Sequence, residues 1–216
     1  MEEEFKNIDL GDSRLTDRLI LTAKRFVARP SMSIPGSCAG WSESKGAYRL
    51  FANPKLTGEK MIDVHRQQAF ERSKEYDELL VIQDTCYVTY PKHREIKSSF
   101  GNIGRTDGNH SLPGVLMHNS LLASLDGTAL GLIDQEIIER KNGQVDRSKR
   151  SYEERETFRW IRPIETIRAY LPENKRLINV ADREADYFPY LLLASDHELD
   201  FVVRCKSNRV VGRRLG

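Results

Sequence analysis

The chain has few cysteines, and their placement argues against two structural roles. The 216 residues include 3 cysteines, Cys38, Cys86 and Cys205, which lie far apart and form no CxxC pair. A disulfide framework uses an even set of thiols, and a structural zinc site uses closely spaced ones. We therefore expect all three to be reduced thiols.

A long apolar segment is also missing. No run in the sequence approaches the roughly 18 apolar residues that a membrane-spanning helix needs. The opening segment Met1–Glu4 is acidic, whereas a secretory signal peptide begins with basic residues. The sequence therefore predicts a cytoplasmic protein with no membrane partner.

An excess of charge of one sign is absent as well. Lys and Arg number 34 and Asp and Glu 32, a formal net charge of +2. Any contact with nucleic acid would have to come from local clusters of basic residues, because the overall charge does not indicate it. With 39% hydrophobic and 31% charged residues, the composition is that of a globular protein.

The first 75 residues have the pattern of three helices. Apolar residues recur at helical spacing over 12–29, and further helices are predicted over about 39–51 and 57–74. Asp12 or Ser13 is expected to cap the first helix and Pro30 to end it. The residues at 31–36 are predicted to form a loop. A small helical module results.

From Leu79 onward the pattern changes to strands. Residues 79–90 are rich in β-branched and aromatic side chains, and Asp126-Gly127 is a turn signal typical of a hairpin. A helix over 151–170 is expected to be interrupted at Pro163. The predicted order is β-β-β-α-β-α-β, over 79–90, 114–125, 129–139, 151–170, 176–182, 187–194 and 200–204. This order favours an α/β fold with a mixed sheet and flanking helices.

Asp84 is the first candidate for chemistry. Strand alternation places it on one face with Leu80, Ile82, Cys86 and Val88, where burial of a lone carboxylate would be costly. One interpretation is a structural carboxylate bonded to a nearby Arg or backbone N–H. The other is a metal ligand.

Asp182 is in a similar position, directly after a short apolar strand. It, or Asp186, could cap the following helix, or it could face a ligand at the strand end. Two acids at the ends of neighbouring strands could bind Mg²⁺ for phosphodiester cleavage. A site of this kind usually needs a third acid.

Two basic segments carry the same ambiguity between phosphate contact and a solvated surface. One is the C-terminal run, and the other is the outer face of the first helix. Their members are Arg204, Lys206, Arg209, Arg213 and Arg214, and Arg14, Arg18, Lys24, Arg25 and Arg29. The five histidines show no spacing typical of metal ligands.

Five blocks of the sequence resemble the insertion-sequence-four group of bacterial DDE transposases, the transposon-five-like enzymes. Residues 5–15 and 45–54 resemble the blocks of that family's N-terminal DNA-binding domain. Residues 80–85 and 181–186 resemble the blocks that bear its first and second catalytic aspartates, and 201–206 resemble the strand that follows.

The resemblance implies a helical DNA-binding domain over 1–75 and a ribonuclease-H-like core over 76–216. Asp84 and Asp182 would be the catalytic residues and would hold Mg²⁺, with Mn²⁺ as the alternative ion. DNA contacts are expected from residues in both parts of the chain. They are Arg14, Arg18, Lys45, Tyr48, Arg49, Arg183, Arg204 and Lys206.

The implied activity is cut-and-paste transposition, in which metal-dependent cleavage at the transposon end is followed by strand transfer. The implied partners are the double-stranded DNA of the transposon ends and of the target. A homodimer is expected on paired ends, in a bacterial cytoplasm and associated with the nucleoid when DNA is bound.

The family's third acid, a glutamate on a later helix, has no counterpart in the sequence. Tyr152 and Arg155 resemble the start of its signature, but the glutamate position falls on Arg159. The expectation is therefore an incomplete core, truncated before the third acid and inactive alone. The alternatives are a DNA-binding protein that inhibits transposition without cutting, or an unrelated metal-dependent nuclease.

Overall fold

The computed structural model describes residues 1–90, 100–105, 111–140, 156–170, 175–196, 199–206 and 208. The chain divides into two compact units, Met1–Glu71 and Arg72–Gly216. The functional division into a DNA-binding domain over 1–75 and a catalytic core over 76–216 stays a prediction.

The first unit is built from helices. Asp12 caps the 16-residue helix that follows it, since its Oδ1 accepts a hydrogen bond from the backbone N–H of Arg14 at 3.0 Å. The predicted cap at Asp12 is confirmed. Thr57 caps the last helix of the unit through a bond from the Lys60 N–H to its Oγ1 at 3.2 Å. The helices are α1 (Glu2–Phe5), α2 (Ser13–Ala28), α3 (Ile34–Ser37), α4 (Trp41–Phe51) and α5 (Gly58–Ser73).

The predicted loop at 31–36 is wrong in its second half. Ile34–Ser37 forms the single turn α3, capped by a hydrogen bond from the Gly36 N–H to the Ser33 hydroxyl at 3.3 Å. Pro35 lies in the first turn, where the missing N–H of proline costs no helical hydrogen bond. A turn this short leaves no periodic apolar pattern in the sequence.

A small apolar cluster holds the first unit together. Its buried members come from the N-terminal segment, α2, α4 and α5, and partly buried Phe5, Leu15, Leu56 and Met61 pack against them. Removal of this apolar surface from water supplies the main stabilisation that orients the helices. The buried members are Ile8, Leu10, Leu19, Leu50 and Val64.

The second unit contains a mixed sheet of six strands within the described part of the chain. Five of them follow the order β2-β3-β1-β5-β6, and β4 also pairs with β3. Pairing is antiparallel for β1–β3, β2–β3 and β3–β4, and parallel for β1–β5 and β5–β6. The strands are β1 (Glu78–Thr89), β2 (Asn102–Arg105), β3 (Ser111–Ser124), β4 (Ala129–Ile138), β5 (Arg176–Ala181) and β6 (Asp200–Val203).

This architecture confirms the predicted class, α/β with N-terminal helices followed by a mixed sheet. The one strand that the sequence pattern did not reveal is β2. Its four residues, Asn-Ile-Gly-Arg, include a single large apolar side chain, so neither alternation nor an apolar run marks it.

Helices of the second unit pack on the sheet. A 3₁₀ turn over Glu156–Trp160 leads into α6 (Arg162–Tyr170), and α7 (Phe188–Asp196) follows β5. Pro163 lies in the first turn of α6, so the predicted interruption is instead a helix start. Trp160, Ile164, Ala181 and Tyr190 belong to the core between these elements.

The turn between β3 and β4 is the predicted hairpin turn. Gly127 has φ +89°, a conformation that glycine adopts without strain. The side chain of Asp126 accepts a hydrogen bond from the Thr128 N–H at 3.1 Å.

Among the described residues, no helix is long and apolar enough to cross a membrane.

The end of β3 offers a matched test of the sheet core. Leu122 is fully buried (0% exposed), whereas Leu125, three residues later, is 50% exposed. Leu122→Ala should lower the free energy of unfolding by about 2–5 kcal/mol, because it removes buried methyl groups and leaves a cavity. Leu125→Ala should change it by less than about 0.5 kcal/mol. Urea denaturation followed by circular dichroism measures both, and equal losses would contradict the assigned core.

Candidate functional site

The two candidate catalytic acids lie at the carboxyl ends of adjacent parallel strands. Gln83 of β1 pairs with Ala181 of β5. Asp84 directly follows Gln83, and Asp182 directly follows Ala181. Alternation places both on the face that carries the preceding pair, Ile82 and Val180. Both acids are exposed. The parallel register therefore brings the two acids next to each other at one edge.

The expectation that Asp84 faces a costly burial is wrong. On its face of β1 the residues Leu80 and Ile82 are partly buried, but Asp84 and Cys86 are exposed. The fully buried side chains of β1 belong to the opposite face. Exposure to water removes the cost of burying the Asp84 carboxylate, and both the structural and the metal-ligand interpretation of Asp84 stay open.

Asp182 has the capping role that the sequence allowed. Its Oδ1 accepts a hydrogen bond from the Glu184 N–H at 2.7 Å and begins a 3₁₀ turn over Arg183–Ala185. Asp186 is buried, and its Oδ2 accepts a bond from the Lys206 N–H at 2.7 Å. Capping engages one carboxylate oxygen of Asp182 and leaves the residue exposed, so the capping role and the predicted metal role are compatible.

Polar residues extend the line of the two acids across the sheet. Asn119 of β3 pairs with Asp84, and Gln135 of β4 pairs with Asn119 and donates to its Oδ1 at 2.8 Å. On the other side, Arg204 follows Val203, the residue that pairs with Ala181. We call Gln135, Asn119, Asp84, Asp182 and Arg204 the polar row. Sequence reasoning missed its two amides, which only the strand pairing brings into line.

The donor set of the polar row suits a hard divalent cation. Carboxylate and amide oxygens are ligands that Mg²⁺ and Ca²⁺ accept, and Mg²⁺ is commonly held by one or two protein carboxylates with further oxygens from substrate. Within the described ranges, no group of three or more His, Cys, Asp or Glu side chains is placed to hold a metal ion. A metal site formed by Asp84 and Asp182 stays a prediction.

The opposite face of the same strands carries a buried polar chain. The Thr85 hydroxyl contacts His118 Nδ1 at 2.9 Å, and His118 Nε2 contacts Gln83 Oε1 at 3.2 Å. Gln83 Nε2 then donates to Asn179 Oδ1 at 3.5 Å. Because the Gln83 Oε1 can only accept, Nε2 of His118 carries the proton and Nδ1 accepts from Thr85. Arg159 donates to the Thr85 hydroxyl at 3.1 Å.

His118 is neutral in the folded protein. Burial, followed by the positive charges of Arg159 and Arg162, lowers its pKa to about 3. Its ring lies edge-on to Trp160, with 4.6 Å between the centroids. A neutral imidazole both donates and accepts, which the chain from Thr85 to Gln83 requires. His118 is thus a core residue, and both of its ring nitrogens have hydrogen-bond partners.

Three predicted phosphate-contacting residues lie near the carboxyl ends of β5 and β6. Arg183 follows Asp182, and Arg204 and Lys206 follow β6; all three are exposed. The Lys206 backbone bond to Asp186 ties the two segments together. The remaining basic residues of the C-terminal run, Arg209, Arg213 and Arg214, lie outside the described residues. Tyr152 and Arg155 lie outside them as well.

In the first unit, the outer face of α4 combines basic and aromatic residues. Lys45, Tyr48 and Arg49 are exposed, as the DNA-binding prediction requires. Trp41, four residues before Lys45, is 77% exposed and lies on the same face. Trp41 was not among the predicted DNA contacts, although its helical spacing to Lys45 and Tyr48 was a usable signal.

Arg14 and Arg18, the two predicted DNA contacts on α2, each contact another residue of the first unit. Arg14 is exposed but forms an ion pair with Asp12 at 2.9 Å. Arg18 is half-buried, and its guanidinium covers Gly46 of α4, where a Cβ would lie 2.9 Å from Nη1. Arg18 therefore contributes to helix packing, and its contact with DNA stays a prediction.

A family model supports the interpretation of the first unit. Residues 1–56 match the model described as transposase DNA-binding. The match includes α2, α4 and the exposed face with Trp41, Lys45, Tyr48 and Arg49. This segment is thus similar to the DNA-binding domain of transposases.

A comparison with solved structures found the one described as "Crystal structure of the Mos1 Strand Transfer Complex". Sequence identity is 10% and the TM-score 0.29, with 87% of this chain and 56% of that chain covered. The chain thus spans little more than half the length of that structure's chain. At so low a TM-score the two backbones superpose only loosely.

The buried histidine predicts a pH-dependent stability. The pKa of His118 is lowered from 6.5 to about 3 on folding, so the unfolded chain binds more protons below pH 6.5. Its contribution is complete above pH 6.5 and is lost as the pH falls towards 3. The free energy of unfolding should drop by about 2 kcal/mol from this group between pH 6.5 and pH 5.

The control for this prediction is His118→Gln, which cannot titrate. Urea denaturation of both proteins at the two pH values should show a smaller loss in the variant than in the wild type. Equal losses in the two proteins would mean that His118 is not held neutral by the fold.

Proposed function

We propose that the chain is the N-terminal part of a DNA transposase of the insertion-sequence-four type. In this proposal the helical unit binds transposon-end DNA, and the sheet unit is a ribonuclease-H-like core that takes part in strand cleavage and strand transfer. The observation that carries the proposal is the placement of Asp84 and Asp182 at the ends of two adjacent parallel strands. The match of residues 1–56 to a transposase DNA-binding model supports it.

The surface of α4 supports the DNA-binding part. Lys45 and Arg49 supply positive charge for phosphates, and Trp41 and Tyr48 supply exposed rings on the same helix. Phosphate contacts provide most of the affinity and determine the orientation of a protein on DNA. The α4 surface is therefore the proposed contact with transposon ends, and Arg14 and Arg18 of α2 are proposed to flank it.

The two acids support the catalytic part. Asp84 and Asp182 would hold the divalent cation, Mg²⁺ or Mn²⁺, which when bound supplies an activated water and charge stabilisation for phosphoryl transfer. Arg183, Arg204 and Lys206 would bind the DNA backbone at the same edge. Asn119, whose Oδ1 accepts a hydrogen bond from Gln135, would place its side-chain amide beside Asp84.

The proposed partners are the DNA of the transposon ends and target DNA. A second copy of the chain is proposed to join on paired ends, because cleavage and joining involve two ends. The proposed location is the bacterial cytoplasm, with nucleoid association when DNA is bound.

DNA binding is tested first through α4. Lys45→Ala and Arg49→Ala should each weaken binding to terminal DNA of the element several-fold and reduce the salt dependence of log K by about 1. Lys24→Ala is the matched control, since it removes the same charge from a lysine already paired with Glu2 at 2.8 Å. Gel-shift titrations at several salt concentrations measure both quantities.

Equal effects of the three substitutions would show that only net charge matters, which would contradict a binding surface on α4. The same gels should be run with a scrambled DNA, with Mg²⁺ present, and examined for nicks. Specific binding without nicks would favour the non-catalytic inhibitor as the function of this chain. Specific nicking that is lost in Asp84→Ala would show an active enzyme.

The metal site is tested by Mn²⁺ titration monitored by electron paramagnetic resonance. Asp84→Asn and Asp182→Asn should each weaken Mn²⁺ binding at least about tenfold, because each removes one of two carboxylate ligands. The control is Asp196→Asn, an exposed acid at the end of α7. Unchanged affinity in both site variants would rule out the proposed metal site.

A further inference from the structure

Arg159 contacts the two chain segments that carry the candidate metal ligands. Its Nε donates to the hydroxyl of Thr85 at 3.1 Å, and its Nη2 donates to Glu184 Oε2 at 2.8 Å. Thr85 follows Asp84 directly, and Glu184 lies two residues after Asp182. One side chain thus connects the end of β1 with the turn after β5.

The guanidinium is held from several directions. Its Nη1 donates to the Glu156 carbonyl oxygen at 2.6 Å, and its carbon lies 5.5 Å from the centre of the Trp160 ring. Arg159 is 8% exposed. A planar guanidinium with each nitrogen engaged has little freedom, so its contacts to Thr85 and Glu184 keep a defined spacing.

Each contact leads directly to a candidate ligand. Glu184 binds Arg159 through its carboxylate, and its backbone N–H donates to Asp182 Oδ1 at 2.7 Å. Thr85 is further restrained on β1 by its bond to His118. A displacement of Glu184 would therefore move the Asp182 carboxylate relative to Asp84.

We propose that Arg159 is a positioning residue that clamps the end of β1 to the turn after β5 and so sets the spacing of the Asp84 and Asp182 carboxylates for a divalent cation. The cation part rests on the proposed function, whereas the clamp itself does not. In the sequence, Arg159 was noted only as the residue at the position where the family signature has its glutamate. Its contacts place it behind the acids, on the other face of the sheet.

The clamp is tested without metal by hydrogen–deuterium exchange. Arg159→Met keeps a long side chain but removes the hydrogen bonds, and Arg159→Lys keeps the charge but cannot bridge both partners. Exchange of the Glu184 and Ala185 amides should become about tenfold faster in Arg159→Met and less so in Arg159→Lys. Unchanged exchange in Arg159→Met would overturn the clamp.

Arg162→Met is the matched control for lost stability. Arg162, like Arg159, is at least partly buried. It donates to the buried Asp134 at 2.8 Å and 3.1 Å, but it contacts neither of the two strand ends that carry candidate ligands. Loss of the Arg162 side chain should destabilise the fold, but it should not selectively accelerate amide exchange at residues 183–186. Equal local exchange in the two methionine variants would mean a general effect of destabilisation and would overturn the proposal.

The consequence for the cation is measured by Mn²⁺ titration of the full chain. Arg159→Met should weaken Mn²⁺ binding about fivefold, and Arg162→Met should not. The loss should be smaller than the roughly 10–100-fold typical of a group bonded directly to a metal ligand, because Arg159 acts on Asp182 through Glu184. If Asp84→Asn weakens Mn²⁺ binding but Arg159→Met does not, Arg159 does not position the acids. If neither Asp84→Asn nor Asp182→Asn has an effect, the proposed metal function fails, and the exchange experiment still decides the clamp.

Discussion

The parallel pairing of β1 with β5 is the contact on which the candidate site depends. It joins segments almost a hundred residues apart, Glu78 with Arg176 through Gln83 with Ala181. Because side chains alternate along a strand, a register shift of one residue would turn Asp84 or Asp182 to the opposite face. The buried residues of both strands oppose such a shift, since Leu79, Val81 and Leu177 would move from the core into a more exposed position. Core packing therefore also holds the acids together.

The two faces of this sheet have complementary roles. One face carries the polar row, in which Asp84 and Asp182 are exposed at the carboxyl ends of their strands and therefore stay solvated. The other carries the buried chain through Gln83, His118 and Thr85, in which each buried polar group has a hydrogen-bond partner. Such groups are costly when left unpaired, so a satisfied chain favours a single arrangement of the strands. Arg159 extends that chain to the segment that bears Asp182.

Helix α4 of the helical unit has one buried face and one exposed face with basic and aromatic residues. Ser44, Ala47 and Leu50 of α4 are buried, while Trp41 and Lys45 are exposed on another face. Arg18 of α2 covers Gly46, so a charged residue of this unit serves as a packing element. A positive charge in the sequence therefore does not by itself mark a DNA contact, and the distinction depends on what lies above each side chain.

Local sequence signals were enough to predict the helix capped by Asp12, the strand with Asp84, the hairpin at Asp126-Gly127 and the α/β class. These follow from periodicity, capping and turn chemistry, which act between near neighbours. The sequence also indicated Asp84 and Asp182 as candidates, through their positions after apolar runs. The exposure of Asp84, the alignment of Asn119 and Gln135 with the two acids, and the link from Thr85 to Glu184 through Arg159 could not be predicted in this way. Those relations arise from strand pairing and packing between distant segments, and no local pattern encodes them.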